Sequence, residues 1–484
     1  MWDRSQQPSG IVFPSQLQPA EHEEAPAVVT GEPWGWVEFF VLAQVFWGVL
    51  LFIPGSQTYR IYIRAFPYVT SLVALFACAR SSGTEMSAPG ARWILAVLAL
   101  LVCSLTHPDT WLAAGAAQVV FQTAIAAPVF WAGRTWTTEK RLQRLIWLIF
   151  AANFLSAGLG LLQVYWPERY LPGQFSTLAL QINPEFIHQL TYTGAGDRLI
   201  VRPPGLSDLP GGAAIAATIT AILAFTFAMR AKQRAISIAM YLGAAAIGIT
   251  CIYLTQVRSM LLMIVGSMFV LALIRLRQGR VVQSGWVAGS AAALVFGSFL
   301  WAVTVGGEAI QERFSDIVNS GVYTTYQDNR GFFLDTTIRE TAFQYPFGAG
   351  LGRWGMMSLY FRDPAAWQRP VLHVEIQPTG WLYDGGVLMW VFYGGALWVC
   401  LRYSYKLATR GTAVVNDYAT MVFLVQLTVA GLCLTGPVFN TQWGILFWLV
   451  TALLYARDRT MAIEDWHLAE QLEAEEADLA AADA

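Results

Sequence analysis

Twelve apolar stretches divide this chain of 484 residues, and they constrain its fold more than any other feature. They lie at roughly 35–54, 61–79, 92–106, 112–132, 143–165, 210–229, 235–254, 258–275, 285–305, 380–401, 417–436 and 441–456. A membrane-spanning helix needs about 20 mostly apolar residues, so the third and last stretches are short for that role. Only 13% of all residues are charged, against roughly a quarter in soluble proteins. The sequence therefore predicts an all-α polytopic membrane protein with about 12 transmembrane helices.

The basic residues of the short connections predict how these helices are oriented. Most of them follow the even-numbered stretches: Arg80, Arg92, Arg134, Lys140, Arg141, Arg144, Arg230, Lys232, Arg234, Arg275, Arg277, Arg280, Arg402, Lys406 and Arg410. The short connections after the odd-numbered stretches hold only Arg60 and Arg258. Because Lys and Arg collect on the cytoplasmic side, we predict that both termini are cytoplasmic. The long loops 166–209 and 306–379 are then predicted to face the outside.

This topology divides the chain into three regions. Residues 1–34 form a cytoplasmic segment, 35–456 the transmembrane domain, and 457–484 an acidic cytoplasmic tail that is solvated or partly helical. The first segment lacks the basic and then apolar layout of a cleavable signal. The first apolar stretch is therefore predicted to act as an uncleaved membrane anchor.

Charge and cysteine spacing argue against nucleic acid and metal ions as partners. The net charge is −2 and the pI is about 6.2, without the basic stripe that nucleic acid requires. The five cysteines show neither a CxxC motif nor the Cys/His spacing of a metal site. The outer loops contain no carboxylate cluster at metal-ligand spacing. We therefore expect no nucleic-acid partner, no metal and no cofactor.

The two outer loops are predicted to fold against the membrane, because they contain too many large aromatic residues for solvated linkers. In the second loop an apolar stripe recurs at helical spacing and comprises Ile310, Phe314, Ile317 and Val318, with Glu308, Glu312 and Asp316 off the stripe. This pattern predicts a helix. It either lies in the membrane interface or packs against the rest of the loop.

The first candidate for a functional site is the stretch "RLIVRPPGLSDLPGG" at residues 198–212. Pro203 and Pro204 fix the backbone angle φ, and Gly205 permits a tight turn. Arg202 is therefore held by a stiff backbone at the mouth of the stretch that starts near Pro210. The alternative is an arginine that only anchors the end of a helix by reaching to the interface.

The second candidate is "LTQVRSMLL" at residues 254–262, which contains Arg258 between two apolar stretches. The connection is so short that the side chain must lie at membrane level, near Gln256 and Ser259. An arginine at this depth is costly and is typical of a functional site. A structural anchor remains the alternative.

The third candidate is "YPFGAGLGRWG" at 345–355, followed by "HVEIQPTGWLYDGG" at 373–386. The glycines do not indicate a nucleotide site, because no strand precedes them. His373 precedes an apolar stretch in an outer loop, with Glu375 two residues on and Asp384 at the next helix entrance. Histidine accepts a proton near neutral pH and can serve as a general base, although a lone histidine is more often a structural hydrogen-bonding group.

The combination of these residues indicates a particular chemistry. Arginines bind phosphates through charged, two-pronged hydrogen bonds, and two of them would hold a diphosphate leaving group as charge develops on it. A histidine base could then deprotonate a sugar hydroxyl. Together these groups describe glycosyl transfer from a membrane-anchored diphosphate donor.

The same motifs resemble those of the superfamily of O-antigen ligases and O-antigen polymerases, which are bacterial membrane glycosyltransferases. Arg202, Gly205 and Pro210 match its arginine turn before a membrane span. Arg258 matches the arginine of a Ser-Arg pair, but Val257 stands in place of the serine. The later pattern of an arginine, a proline and a glycine turn is similar to Arg330, Pro346, Gly348, Gly350 and Gly352. His373 fits the final motif if Asp384 replaces a glutamate and a short insertion is allowed.

The resemblance implies a GT-C-like fold in the bacterial inner membrane, with a large, partly helical periplasmic loop and an active site on the periplasmic face. The donor is a glycan on undecaprenyl diphosphate, and the acceptor is another glycan. By this resemblance Arg202 and Arg258 bind the donor diphosphate and His373 activates the acceptor hydroxyl, without a metal or cofactor. Arg330, Arg339, Arg353 and Asp384 would support the site. Other polysaccharide-assembly proteins are possible partners.

The second outer loop is rich in arginine and aromatic residues: Arg313, Arg330, Arg339, Arg353, Arg362, Arg369, Tyr323, Tyr326, Phe332, Phe333, Phe343, Tyr345, Trp354, Tyr360, Phe361 and Trp367. Such residues could bind a long glycan, because aromatic faces pack on sugar rings, or they could pack the loop onto the membrane. We expect a polymerase of surface or secreted polysaccharide. The alternatives are a ligase that transfers the glycan to lipid A core or another acceptor, and a transporter or flippase of lipid-linked glycan. Transport is disfavoured because the ionisable groups lie in loops and not near the bilayer midplane.

Overall fold

The computed structural model describes residues 34–80, 88–173, 175, 190–230, 234–361, 368–410 and 413–482. Within this part of the chain, every one of the twelve predicted apolar stretches forms or begins a helix. The helices are α1 Trp36–Phe46, α2 Arg60–Ala79, α3 Ala91–Ser104, α4 Leu112–Ala126, α5 Glu139–Tyr165, α6 Ala213–Ala228, α7 Ala235–Thr255, α8 Arg258–Arg277, α9 Val281–Asn319, α10 Gln377–Arg410, α11 Ala413–Leu432 and α12 Gln442–Ala482. The predicted all-α class is confirmed.

Eight helical segments in the described ranges are long and apolar enough to cross a membrane: Ser56–Ala79, Leu112–Arg134, Glu139–Tyr165, Ala235–Thr255, Arg258–Arg277, Val281–Ile317, Gln377–Arg410 and Val415–Leu432. Three further apolar helices are shorter: Trp36–Phe52, Ala91–Ser104 and Ala213–Ala228. The lengths and apolar compositions of these helices therefore support a polytopic membrane protein. The count of about 12 crossing helices stays a prediction.

Short elements connect the long helices. The helical ones are Trp47–Phe52, Ser56–Tyr59, Pro128–Trp131, Ala132–Arg134, Pro167–Tyr170, Ala195–Asp197, Val322–Tyr326, Gln327–Gly331, Phe332–Thr336, Thr337–Thr341, Ala342–Gln344, Gly355–Tyr360 and Val438–Asn440. Two antiparallel strands, β1 Thr191–Thr193 and β2 Leu199–Val201, form a hairpin in the first outer loop, with Tyr192 opposite Ile200. The second outer loop is largely helical from Val322 to Gln344.

Helix α6 lies at the centre of the bundle. All of its residues except Ile215 are buried, and it packs against α5, α7, α8 and α11. A helix that is apolar on all sides is expected to be buried. Small residues allow close approach, since a Cβ atom on Gly248 of α7 would lie 2.7 Å from the Ala217 carbonyl oxygen. The turn that contains Arg202 leads directly into this rigid central helix.

Helix α9 is broken at Gly307, which has φ 60° and ψ −149°. A Cβ atom there would lie 3.0 Å from the Ala195 backbone nitrogen, so the hairpin loop packs against the break. The helix predicted from the apolar stripe follows the break. Ile310 and Phe314 are buried, and the Phe314 ring lies 4.7 Å from that of Tyr253 in α7. Ile310 and Phe314 of the stripe therefore face the helical bundle.

The structure describes most of the C-terminal tail but almost none of the N-terminal segment. The predicted N-terminal segment 1–34 lies outside the described residues except for Trp34. At the other end, α12 continues without a break from the apolar stretch into the predicted acidic tail and ends at Ala482. The tail is thus helical over most of its length, which agrees with the partly helical alternative.

Candidate functional site

The turn at Arg202 is fixed by hydrogen bonds to two neighbouring segments. The Arg202 N–H donates to the Leu190 carbonyl at 3.0 Å, and the Gly211 N–H donates to the Arg202 carbonyl at 2.9 Å. Gly205 has φ +64°, and its N–H donates to Oε1 of Gln163 in α5 at 2.8 Å. A Cβ atom at Gly205 would lie 2.7 Å from a side-chain oxygen of α5, so the turn requires glycine.

Asp208 lies in the same turn and attaches it to α2 through ion pairs. Its carboxylate is 1% exposed and pairs with Nε of Arg60 at 2.8 Å and with the Arg64 guanidinium. Both arginines belong to the start of α2. A buried carboxylate is retained only when it is well paired. These contacts hold the turn between α2 and α5.

The Arg202 side chain is only partly satisfied by the protein. Its Nη2 donates to Oε1 of Gln256 at 3.4 Å. Its Nε is buried and has no hydrogen-bond partner among the described residues. Burial lowers the pKa of Arg202 from its ordinary value, because the protein removes water from the charged form. An anion beside this guanidinium would use the free donor and stabilise the charge.

Gln256 places a second predicted arginine beside Arg202. It ends α7 in the left-handed conformation with φ 58°, and Arg258 begins α8 two residues later. Arg258 is half-buried, and its Nη2 lies 3.4 Å from Oδ2 of Asp316. The hydroxyl of Tyr192 donates to the Leu254 carbonyl at 3.0 Å and ties the hairpin to the end of α7. The structure therefore brings Arg202 and Arg258 to one place.

Arg313 is a third arginine at this place. Its Nε donates to the Gln256 carbonyl at 3.3 Å, and it lies close enough to Arg258 and Arg202 for their charges to repel it. We call Arg202, Arg258 and Arg313 the arginine cluster. In the sequence, Arg313 is only one of the many arginines of the second outer loop. Nothing in its local pattern indicates a contact with Gln256.

His373 belongs to a second group, the histidine cluster of His373, Glu375 and Arg330. The Nε2 atom of His373 lies 2.9 Å from Oε1 of Glu375, and Arg330 forms an ion pair with the same carboxylate. His373 is 71% exposed while Glu375 is 27% exposed, and the Phe333 ring lies 5.8 Å from the imidazole. Burial lowers the pKa of Arg330 from its ordinary value. The carboxylate thus orients an accessible imidazole.

The glycine-rich segment 345–355 folds into a break in α10. Gly348, Gly350 and Gly352 all have positive φ angles, and a Cβ atom on Gly350 would lie 2.6 Å from the backbone of Asp109. The helix is broken at Gly385. Backbone hydrogen bonds join the glycine-rich segment to α10 both before and after this break. These glycines therefore serve close backbone packing.

Arg353 and Asp384, two predicted supporting residues, are buried in this packing. Arg353 donates to the carbonyls of Ala349 at 2.6 Å and Pro370 at 3.1 Å, and its own carbonyl accepts from the Leu372 N–H at 2.8 Å. Asp384 accepts from Nε1 of Trp354 at 2.7 Å. Arg353 thereby holds the backbone next to His373.

Arg339, the remaining supporting residue, is exposed on the helical part of the second outer loop. In the described ranges it has no hydrogen bond or ion pair with either cluster. Its supporting role stays a prediction.

Both clusters lie at the same end of the bundle. The arginine cluster uses the last part of α9, which ends at Asn319, and the helical segment Val322–Tyr326 follows closely. The hydroxyl of Tyr326 donates to the carbonyl of Leu434 after α11, and the Gln377 N–H at the start of α10 donates to the neighbouring Cys433 carbonyl. His373 lies just before α10. Within the described part of the chain, no hydrogen bond or ion pair joins the two clusters directly.

The described residues contain no group of three or more His, Cys, Asp or Glu side chains that could hold a metal ion. No protein-family model matches this chain, and no curated protein matches it.

Proposed function

We propose that this protein is a membrane glycosyltransferase that polymerises a surface or secreted polysaccharide. It transfers a glycan from an undecaprenyl-diphosphate-linked donor to an acceptor glycan on the periplasmic face of the bacterial inner membrane. The observation that carries the proposal is the arginine cluster. Arg202 and Arg313 both contact Gln256, Arg258 lies close enough to Arg313 for their charges to repel, and the Nε of Arg202 is buried without a described partner.

The arginine cluster suits a donor diphosphate. Among the described residues, the ion pair between Arg258 and Asp316 is the only one that these three arginines form, and the Asp316 carboxylate is 56% exposed. Hydrogen bonds from a charged donor to phosphate each contribute roughly 1.5–3 kcal/mol. When the bond between the sugar and the diphosphate breaks, the leaving oxygen takes the electron pair, and the nearby guanidiniums stabilise the charge that develops. The cluster thereby supplies the electrostatic stabilisation without requiring a metal ion.

The histidine cluster suits the acceptor. As the acceptor hydroxyl oxygen attacks the anomeric carbon, the Nδ1 of His373 can take its proton, because Nε2 faces Glu375. Glu375 then stabilises the imidazolium, and Arg330 holds Glu375 in place. The products are a new glycosidic bond and undecaprenyl diphosphate.

Exposed aromatic residues support a polymerase over a ligase. Tyr323 is 77% exposed, Phe343 81% and Phe332 64%, all in the second outer loop. These side chains are not packed within the protein, so their faces are open to a glycan or to the membrane. Arg362 and Trp367, named with them as glycan-binding candidates, lie outside the described residues. A row of exposed aromatic faces suits long glycan chains.

Two experiments test the proposed function. Purified protein with a lipid-linked repeat unit should produce a ladder of longer glycans on a gel, also in the presence of EDTA. Deletion of the gene should leave single repeat units attached to their acceptor. Full-length polymer stranded on the lipid carrier would instead indicate a ligase, and movement of the intact donor across the bilayer without bond formation would indicate a transporter.

A further inference from the structure

We infer that Arg313 is a third ligand of the donor diphosphate, and that Asp316 is a competing carboxylate which the diphosphate displaces from Arg258. This inference rests on the proposed function and adds residues to its donor site. It concerns the segment of α9 after Gly307, which carries both side chains.

The break at Gly307 is what brings this segment to the arginine cluster. An unbroken helix would continue in the direction of residues 281–306. The left-handed φ at Gly307 turns the chain instead, and the buried Ile310 and Phe314 fix the new direction against the bundle. Arg313, next to Phe314, then reaches the Gln256 carbonyl at 3.3 Å.

Asp316 faces the same place because residues three apart share one face of a helix. Its Oδ2 lies 3.4 Å from Nη2 of Arg258, a longer contact than the 2.8 Å of the buried Arg60–Asp208 pair. The carboxylate is 56% exposed, so water can readily take its place beside the Arg258 guanidinium. By contrast, Arg258 is 19% exposed and remains in the site.

A diphosphate and Asp316 would compete for the same guanidinium. The diphosphate carries more negative charge and more acceptor oxygens than one carboxylate, and it contacts Arg202 and Arg313 as well. Binding therefore exchanges the Arg258–Asp316 pair for stronger contacts. A small anion with a single charge gains less from this exchange, so Asp316 lowers the affinity of the empty site for such anions.

The test measures binding and not turnover. Full-length protein in lipid nanodiscs is titrated with methylenediphosphonate, which competes with fluorescently labelled undecaprenyl diphosphate. Arg313→Ala should weaken binding of both probes by at least about tenfold, and Arg313→Lys should restore only part of it. Asp316→Asn should tighten binding several-fold. The matched control is Glu312→Gln, because Glu312 is exposed on the same segment and has no described ion pair.

The outcomes separate this inference from the proposed function. If the wild-type protein binds neither probe, the donor site itself is wrong. If the wild-type protein binds both and Arg202→Ala abolishes binding, but Arg313→Ala and Asp316→Asn behave like Glu312→Gln, the donor site stands and this inference is overturned. If Arg313→Ala does not give folded protein, Arg313→Lys and Asp316→Asn decide, since both preserve the size of the side chain.

Discussion

At the scale of single residues, Glu375 makes contacts that its sequence position does not predict. In the sequence it stands two residues after His373, without a motif that would indicate a role. In the structure its carboxylate holds both His373 and Arg330. A carboxylate that orients a histidine and stabilises its charged form is a recurring arrangement in enzymes.

We expect Glu375→Gln to lower turnover while donor binding stays unchanged, because the amide keeps the shape but loses the charge. The loss should be smaller than the roughly 10²–10⁴-fold that a general base itself contributes. Glu375→Asp should recover part of it. The control is Glu340→Gln, an exposed glutamate in the same loop. Equal turnover in the Gln variant and the wild-type protein would remove Glu375 from the mechanism.

His373→Ala should remove most of the activity, by roughly 10²–10⁴-fold, because the acceptor hydroxyl loses the base that takes its proton. Binding of labelled undecaprenyl diphosphate should survive, since His373 lies outside the arginine cluster. Gel ladders and donor binding are measured on the same preparation. A parallel loss of binding and turnover would mean that His373 shapes the donor pocket.

Arg202→Ala and Arg258→Ala should each abolish transfer without preventing membrane insertion. Lysine should rescue poorly at both positions, because it lacks the planar, two-pronged guanidinium. Arg198→Ala is a matched control, because Arg198 is exposed beside the same hairpin and its side chain donates, among the described residues, only to the Tyr165 carbonyl. Full activity of both alanine variants would reduce these arginines to structural anchors.

The candidate site is predictable from the sequence only where residue type and local spacing are informative. Arg202 stands beside a stiff turn and Arg258 in a very short connection between helices. The sequence therefore predicts that both side chains lie at the ends of membrane helices. Arg313 is one arginine among several in a long loop. Its role depends on a contact with Gln256 across the fold, and one sequence alone does not reveal such a contact.

At the scale of elements, apolar runs are sufficient to predict the long helices, because a membrane helix must be apolar over its whole length. The helix after Gly307 was also predictable from its apolar stripe. The hairpin was not, because strands of three residues are too short to show an alternating pattern. The break in α9 depends on one glycine, whose φ angle cannot be read from the sequence.

Gly307→Ala should destabilise the protein by roughly 1–3 kcal/mol, the usual cost of such a backbone conformation in a residue with a side chain. It should also weaken donor binding, because Arg313 would lose its direction. Gly297→Ala in the same helix is the control, since a Cβ atom there meets nothing within 4 Å. Thermal unfolding and diphosphonate binding are measured for both. Wild-type binding in a folded Gly307→Ala protein would show that the break does not position Arg313.

At the scale of the whole molecule, the number of membrane crossings depends on the short helices. Helix α6 has 16 residues, fewer than the about 20 that a crossing needs. Other helices surround it. Ala91–Ser104 is also short. The twelve-span topology places both clusters outside only if these short helices count as crossings.

Cysteine-accessibility labelling decides this point, because α9 connects the two sides. A cysteine at position 280, just before α9, should react only after the membrane is permeabilised, and a cysteine at position 330 should react in intact cells. The background requires replacement of the native cysteines, since Cys103 is exposed on the protein surface. Both positions are at least partly accessible, with 27% exposure for Arg280 and 37% for Arg330. Labelling of 280 from outside and of 330 only from inside would place the arginine and histidine clusters in the cytoplasm. A lipid-linked donor presented at the periplasmic face could not reach them there, so the proposed polymerisation would be excluded whatever the residues themselves can do.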